Sequence, residues 1–121
     1  MEPAGAPQVA LVVEGEWVLR AAIVEELRCA GWEVVQTGTA EGAIAYAQAG
    51  YRFDVVVTDI RLAGLLTGWD VAELVRGIRA DVPIIYISGS VVDPSRAVAG
   101  SLFFDKLCDL GKVVAACQRF M

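Results

Sequence analysis

Short apolar runs alternate with longer amphipathic stretches from the ninth residue of this chain to its end. Val9 to Val13 is a continuous apolar run, the form a strand takes when both faces of its sheet are covered. Leu19, Ile23 and Leu27 follow four apart, the spacing of one helix face, and Gly31 is a fitting stop. Val34-Val35 opens a second strand, which passes through a Gly38-Thr39 turn into a helix with Ala40, Ala43, Ile44 and Ala47 on one side, broken at Gly50. Val55 to Thr58 is the third strand, and Val71, Leu74, Val75 and Ile78 then recur at i, i+3, i+4 and i+7. Pro83 introduces a fourth strand, Ile84 to Ile87. Leu102 to Phe104 is the fifth, and Leu110, Val113, Val114 and Cys117 give the closing helix its stripe.

Five strands separated by helices predict an α/β fold with an open parallel sheet, because neighbouring parallel strands need a crossover, usually helical and right-handed. One crossover is defective. Only thirteen residues separate Ser88 from Leu102, and they include Pro94 and Gly100, so a fourth helix there is short or frayed, near Ser95 to Ala99.

Composition narrows the picture further. A chain of 121 residues is expected to form one domain, here 9–121 after a flexible segment 1–8, and 56 % hydrophobic residues against 21 % charged exclude a disordered chain and favour helices on both faces of the sheet. The net charge of −5, with Lys and Arg scattered, argues against a nucleic-acid partner. The N-terminal stretch lacks the basic start and apolar run of a signal peptide, and no apolar run is long enough to span a bilayer, so no membrane partner and a cytoplasmic location are expected. Cys29, Cys108 and Cys117 form neither a metal spacing nor an even disulfide set and read as buried free thiols. The chain has no histidine, which removes imidazole chemistry and any phosphohistidine of its own.

The strand ends carry the chemistry. Glu14 follows the first strand, Asp59 the third, Ser88 the fourth and Lys106 the fifth. Ligands of open parallel sheets bind in the crevice outside the C-terminal strand ends. Two acids, a hydroxyl and an ammonium gathered there make a magnesium-dependent phosphoryl-acceptor centre, with Asp59 as the carboxylate nucleophile. Each residue also has a plainer reading: Asp59 as a turn cap, Glu14 as a solvated charge, Ser88 as a turn hydroxyl, Lys106 as a surface lysine.

Val-Val-Glu, Val-Thr-Asp-Ile-Arg-Leu, Ile-Ser-Gly and Phe-Phe-Asp-Lys at successive strand ends, with Gly68-Trp69-Asp70-Val71-Ala72 after the acceptor loop, resemble the CheY-like receiver domain of bacterial two-component response regulators. The resemblance covers nearly the whole chain. It implies a flavodoxin-like strand order 2-1-3-4-5 and transfer of a phosphoryl group from a sensor histidine kinase or a histidine phosphotransfer protein. It places the phosphoacceptor on Asp59, the phosphate contacts on Ser88 and Lys106, and the Mg²⁺ ligands on Glu14, Asp59 and the main-chain carbonyl of Arg61. The switch pair falls on Ser88 and Phe103.

Several positions depart from that pattern. Gly15 stands where the family usually has a second acid, so Mg²⁺ binding is expected to be weak, with Glu16 as a possible substitute ligand. Leu107 replaces a proline, and Ala63 stands where the acceptor loop usually has another. Trp17, Leu65, Leu66, Val91 and Val92 lie in loops at the site edge and form an apolar patch suited to a partner. Three function classes follow. The first is a stand-alone phosphoacceptor, not an enzyme, since the chain ends at Met121, with an unknown downstream protein and a possible homodimer as partners. The second is a degenerate receiver that binds partners without phosphorylation, favoured by Gly15. The third, a phosphohydrolase with an aspartate nucleophile, lacks its second acid because Arg61 occupies that place.

Overall fold

The computed structural model describes residues 8–89, 93–106 and 109–120. Its strands are β1 (Val9–Val13), β2 (Glu33–Thr37), β3 (Val55–Asp59), β4 (Ile84–Ser88) and β5 (Leu102–Asp105). They form one parallel sheet in the order β2-β1-β3-β4-β5, the flavodoxin-like order. The helices are α1 (Trp17–Cys29), α2 (Ala40–Gln48), α3 (Gly68–Ile78) and α4 (Leu110–Gln118). Between β4 and β5 the expected short helix is a single 3₁₀ turn, Pro94–Arg96.

The period-two alternation of each strand sorts its side chains into two cores. Leu11, Val13, Val56, Ile84 and Tyr86 face α2 and α3, together with Ala43, Val71 and Val75. Ala10, Val12, Val55, Val57, Ile85 and Ile87 face α1 and α4, against Ile23, Leu27, Val113 and Cys117. With both faces covered, β3 and β4 are buried along their whole length, which is why they read as unbroken apolar runs. Three helices begin at side-chain caps, α4 at Asp109, whose Oδ1 accepts from Gly111 N at 2.8 Å. Thr39 Oγ1 accepts from Gly42 N at 3.0 Å, and Thr67 and Asp70 make a reciprocal capping box on α3.

Some expectations change. Cys29 is exposed rather than buried: it lies two residues beyond Leu27, about 200° around the helix from the buried stripe. Ile78, in the last turn of α3, is 59 % exposed on an open cleft with Ala47 and Tyr51. Leu66 packs against the α2–α3 core, so of the proposed edge patch only Trp17 and Leu65 are exposed among the described residues, while Val91 and Val92 lie outside them. Residues 1–7 of the expected N-terminal segment, Leu107 and Cys108 also lie outside the described residues. Gln8 is already tied in, its carbonyl accepting from Glu33 N at 2.9 Å and its amide donating to Phe120 O at 3.2 Å.

Candidate functional site

Strand register brings the four strand-end residues to one place. Val13 pairs with Thr58, so Glu14 stands level with Asp59; Asp59 pairs with Ile87, and Ser88 with Asp105, so Ser88 and Lys106 each lie one step further along their strands. Together with Gly15, Glu16, Arg61 and Gly89 they line a cavity of about 400 Å³ at the C-terminal edge of the sheet.

Lys106 sits at the centre of the charge. Its Nζ is 2.8 Å from Asp59 Oδ2, 3.0 Å from Glu14 Oε1 and 3.5 Å from Glu16 Oε1. The side chains of Glu14 and Asp59 are 1 % and 6 % exposed, so both acids are out of water and share this ammonium as counter-ion. Each also takes a backbone donor from the turn that follows it: Glu16 N donates to Glu14 Oε2 at 2.9 Å, and Arg61 N to Asp59 Oδ1 at 3.2 Å. Glu14 Oε1, though 3.0 Å from Nζ, receives no aligned hydrogen bond, so that contact is Coulombic and the oxygen keeps accepting capacity.

The two partners of this pair respond differently. Burial pushes the Glu14 carboxyl above its ordinary range; the Glu16 amide and Lys106 pull it back only in part, and the Asp59 charge adds to the rise. Burial works against the charge of Lys106, but hydrogen bonds to Asp59 and Glu14 outweigh it and hold the ammonium well above its ordinary range. The lysine stays charged through neutral pH, while Glu14 takes up a proton more readily than a surface acid does.

Other parts of the site are built by the backbone. Gly68 lies directly under Asp59: a Cβ there would collide with the Asp59 carbonyl, so glycine lets the first turn of α3 pack on the Asp59–Ile60 peptide. Gly68 N donates to Ile60 O at 2.8 Å across that contact. Ser88 is 7 % exposed, and its carbonyl accepts from Lys106 N at 2.9 Å, coupling the two loops. Phe103 is 40 % exposed and not a core residue, because the 3₁₀ turn does not cover β5 as a full helix would. Its ring lies 5.0 Å from Tyr86 and 5.9 Å from Trp69, an aromatic group drawn from three elements that the sequence pattern did not bring together. Arg20 is another residue the pattern did not single out: from the polar side of α1 its Nη1 donates to Glu14 O at 2.7 Å.

The donor set fits a hard divalent cation, which takes oxygen ligands. Two buried carboxylates and an under-used Glu14 oxygen adjoin the Arg61 turn. Among the described residues no three acids, cysteines or histidines gather into a complete cage, so a cation here draws the rest of its shell from main chain, water or phosphate, as Mg²⁺ does. A Cβ at Gly15 would make only an ordinary contact, 3.6 Å from Gly38 O, so packing does not exclude a second acid there.

Known proteins agree with this frame. The family model described as the response regulator receiver domain matches residues 10–104, ending two residues before Lys106. The crystal structure of a response regulator receiver protein from Sinorhizobium medicae is 29 % identical, with a TM-score of 0.90 and 94 % of each chain covered. That of the response regulator TrrA from Thermotoga maritima, in complex with Mg(2+)-BeF, is 25 % identical with a TM-score of 0.82, covering 94 % of this chain and 99 % of that one. The chemotaxis protein CheY4 of Vibrio cholerae, 24 % identical with a TM-score of 0.82 over 96 % of this chain and 100 % of that one, shares the fold. No curated protein sequence matches. Among the described residues no helix is long and apolar enough to cross a membrane. The strand-end cavity, the sheet order and a family match over most of the chain converge: this chain belongs to the response regulator receiver domain family.

Proposed function

We propose that the chain is a phosphoacceptor of two-component signalling, taking a phosphoryl group onto Asp59 from a phosphohistidine of a sensor kinase or a phosphotransfer protein. The observation that carries it is the single ammonium of Lys106 held between two buried acids, 2.8 Å from Asp59 and 3.0 Å from Glu14, at the mouth of the strand-end cavity. In the transfer an Asp59 carboxylate oxygen forms the new O–P bond as the donor P–N bond breaks, and the imidazole leaves with the electron pair and takes up a proton. The chain contributes position and charge. Arg61 N fixes the Asp59 carboxylate, Lys106 turns from the acids to the phosphoryl oxygens, and Ser88 supplies a hydroxyl. Glu14, Asp59 and the Arg61 carbonyl would hold Mg²⁺, which when bound neutralises charge on the phosphoryl oxygens.

The product carries about −1.5 to −2 charges, and it draws Ser88 and its loop inward. Phe103, half-exposed beside Tyr86, then repacks and changes the surface offered to a downstream protein or a second copy of the chain. The role is that of a signalling protein at work in the cytoplasm rather than of an enzyme, with residues 9–121 as the receiver unit and no nucleic-acid or membrane partner.

Titration of Mg²⁺ with beryllofluoride, followed by Trp17 fluorescence, tests this reading, since that indole is 71 % exposed in the first turn of α1 beside Glu16. Saturable binding that is lost in Asp59→Asn is expected; the same response in Asp59→Asn would overturn it. Gly15 favours a second reading, a receiver that binds partners without phosphorylation, because an acid is missing where packing would admit one. On the phosphoacceptor reading Gly15→Asp tightens Mg²⁺ binding to a site that already works. On the second reading the parent chain does not respond and only Gly15→Asp does.

A further inference from the structure

The loop that delivers Glu14 to the acceptor passes straight into Gly15, a residue with the least backbone restriction of any, so something outside the loop must fix it. Thr37 O accepts from Glu14 N at 3.1 Å, and the Glu14 carboxylate closes its own turn on Glu16 N. The Glu14 carbonyl is taken by Arg20 Nη1 at 2.7 Å, a charged donor given to a neutral acceptor. Among the described residues Arg20 makes no ion pair with an acid. Opposite it stands Gly38. Its φ is not among the positive values found at Gly31, Gly50, Gly64 and Gly100, so backbone conformation does not demand glycine there. Space bears on it instead: a Cβ at Gly38 would sit 3.0 Å from Arg20 Nη1, so the guanidinium would have to give way, and at an ordinary 3.8 Å from the Glu14 carbonyl oxygen.

We propose that Arg20 is a positioning residue for the acceptor site, acting through the Glu14 carbonyl, and that Gly38 provides the room in which its guanidinium reaches that oxygen. This deepens the phosphoacceptor reading and rests on it. The Glu14 carboxylate lies within 3.0 Å of Lys106, and Lys106 within 2.8 Å of Asp59, so a loop released by a few tenths of an ångström moves an acid that the site needs in place.

The test is a double-mutant cycle on Arg20→Met and Gly38→Ala, with Arg20→Lys as the conservative variant. It is read as the midpoint of Mg²⁺ binding in the presence of beryllofluoride, beside the thermal unfolding midpoint. Arg20→Met is expected to weaken Mg²⁺ binding about tenfold, the scale of a lost supporting contact to a metal ligand, while unfolding changes little. Gly38→Ala weakens it less, adds nothing in the Arg20→Met background, and Arg20→Lys recovers part of the loss. Equal Mg²⁺ midpoints in wild type and Arg20→Met, or a Gly38→Ala effect undiminished in the Arg20→Met background, overturns the inference. If Arg20→Met does not fold, Gly38→Ala against wild type decides it: an unchanged midpoint overturns the inference, a weakened one supports it. A wild type with no Mg²⁺ response overturns the phosphoacceptor reading itself, and this inference with it; a responding wild type matched by Arg20→Met overturns this inference alone.

Discussion

Lys106 neutralises two acids at once, and the three side chains cannot be understood one at a time. Remove the ammonium and Glu14 and Asp59 are left as buried like charges. Lys106→Met is therefore expected to cost about 3 kcal/mol at pH 7, the scale of a broken buried ion pair. The deficit is pH-dependent with a definite sign. Burial already raises Glu14 above its ordinary 4.5, so its contribution is fully present below that value and lost as pH rises through the folded pKa. A proton can then stand in for the ammonium, and urea denaturation should show a smaller deficit at pH 5 than at pH 7; an equal deficit at both would contradict the pairing described. The thiols make a second prediction at this scale. Burial pushes the Cys117 thiol up to about 12, whereas Cys29 is exposed, so peptide-resolved alkylation of the native protein should modify Cys29 and spare Cys117 until it unfolds. The Glu14–Lys106 contact spans 92 residues of sequence, and no local pattern could show it; what the sequence did show was that both residues end strands. Cys29 was legible but misjudged, because its angle from Leu27 on the helix already placed it outside the buried stripe.

At the scale of elements, α3 is where the site is anchored. Its capping box joins Thr67 and Asp70, and Arg96 of the 3₁₀ turn reaches Asp70 at 3.1 Å and Glu73 at 2.7 Å, fastening the chain after β4 to the helix after β3. The Thr67 amide above all, with Arg96, holds the Asp70 carboxyl below its ordinary 3.8. Its stabilisation is thus present above that value and lost as pH falls through the lower folded pKa. Asp70→Asn is expected to cost about 1 kcal/mol at neutral pH, and the gap should close in acid; denaturation curves at the two pH values check it. Gly68→Ala should cost about 2 kcal/mol and displace Asp59 as well, since its methyl would meet the backbone of Asp59 and Ile60 rather than a side chain that could swing away. Strand and helix order were readable from periodicity, and Pro94 and Gly100 announced that the fourth crossover lacked a proper helix. The consequence for Phe103 was not readable, because exposure depends on what fails to cover β5 rather than on the β5 sequence.

For the whole molecule, the sheet sets a gradient of order that runs outward from its centre. β1, β3 and β4 pair on both sides and are buried, while β5 is a four-residue edge strand with alternating burial. Hydrogen exchange should be slowest in the three central strands and fastest in β5, which is short, half-buried and paired on one side only. The fold was the most legible part of the chain, since five apolar runs with helical spacers admit few arrangements. The strand-end cavity was legible only through four residues taken together, since each alone reads as a turn or surface residue. The most direct measurement is incubation with acetyl phosphate and Mg²⁺, followed by intact mass and peptide mapping. One acid-stable, base-labile phosphoryl group is expected on Asp59, absent in Asp59→Asn and diminished in Lys106→Met; a wild-type chain that stays unmodified, or carries the group on another residue, would contradict a phosphoacceptor role for Asp59.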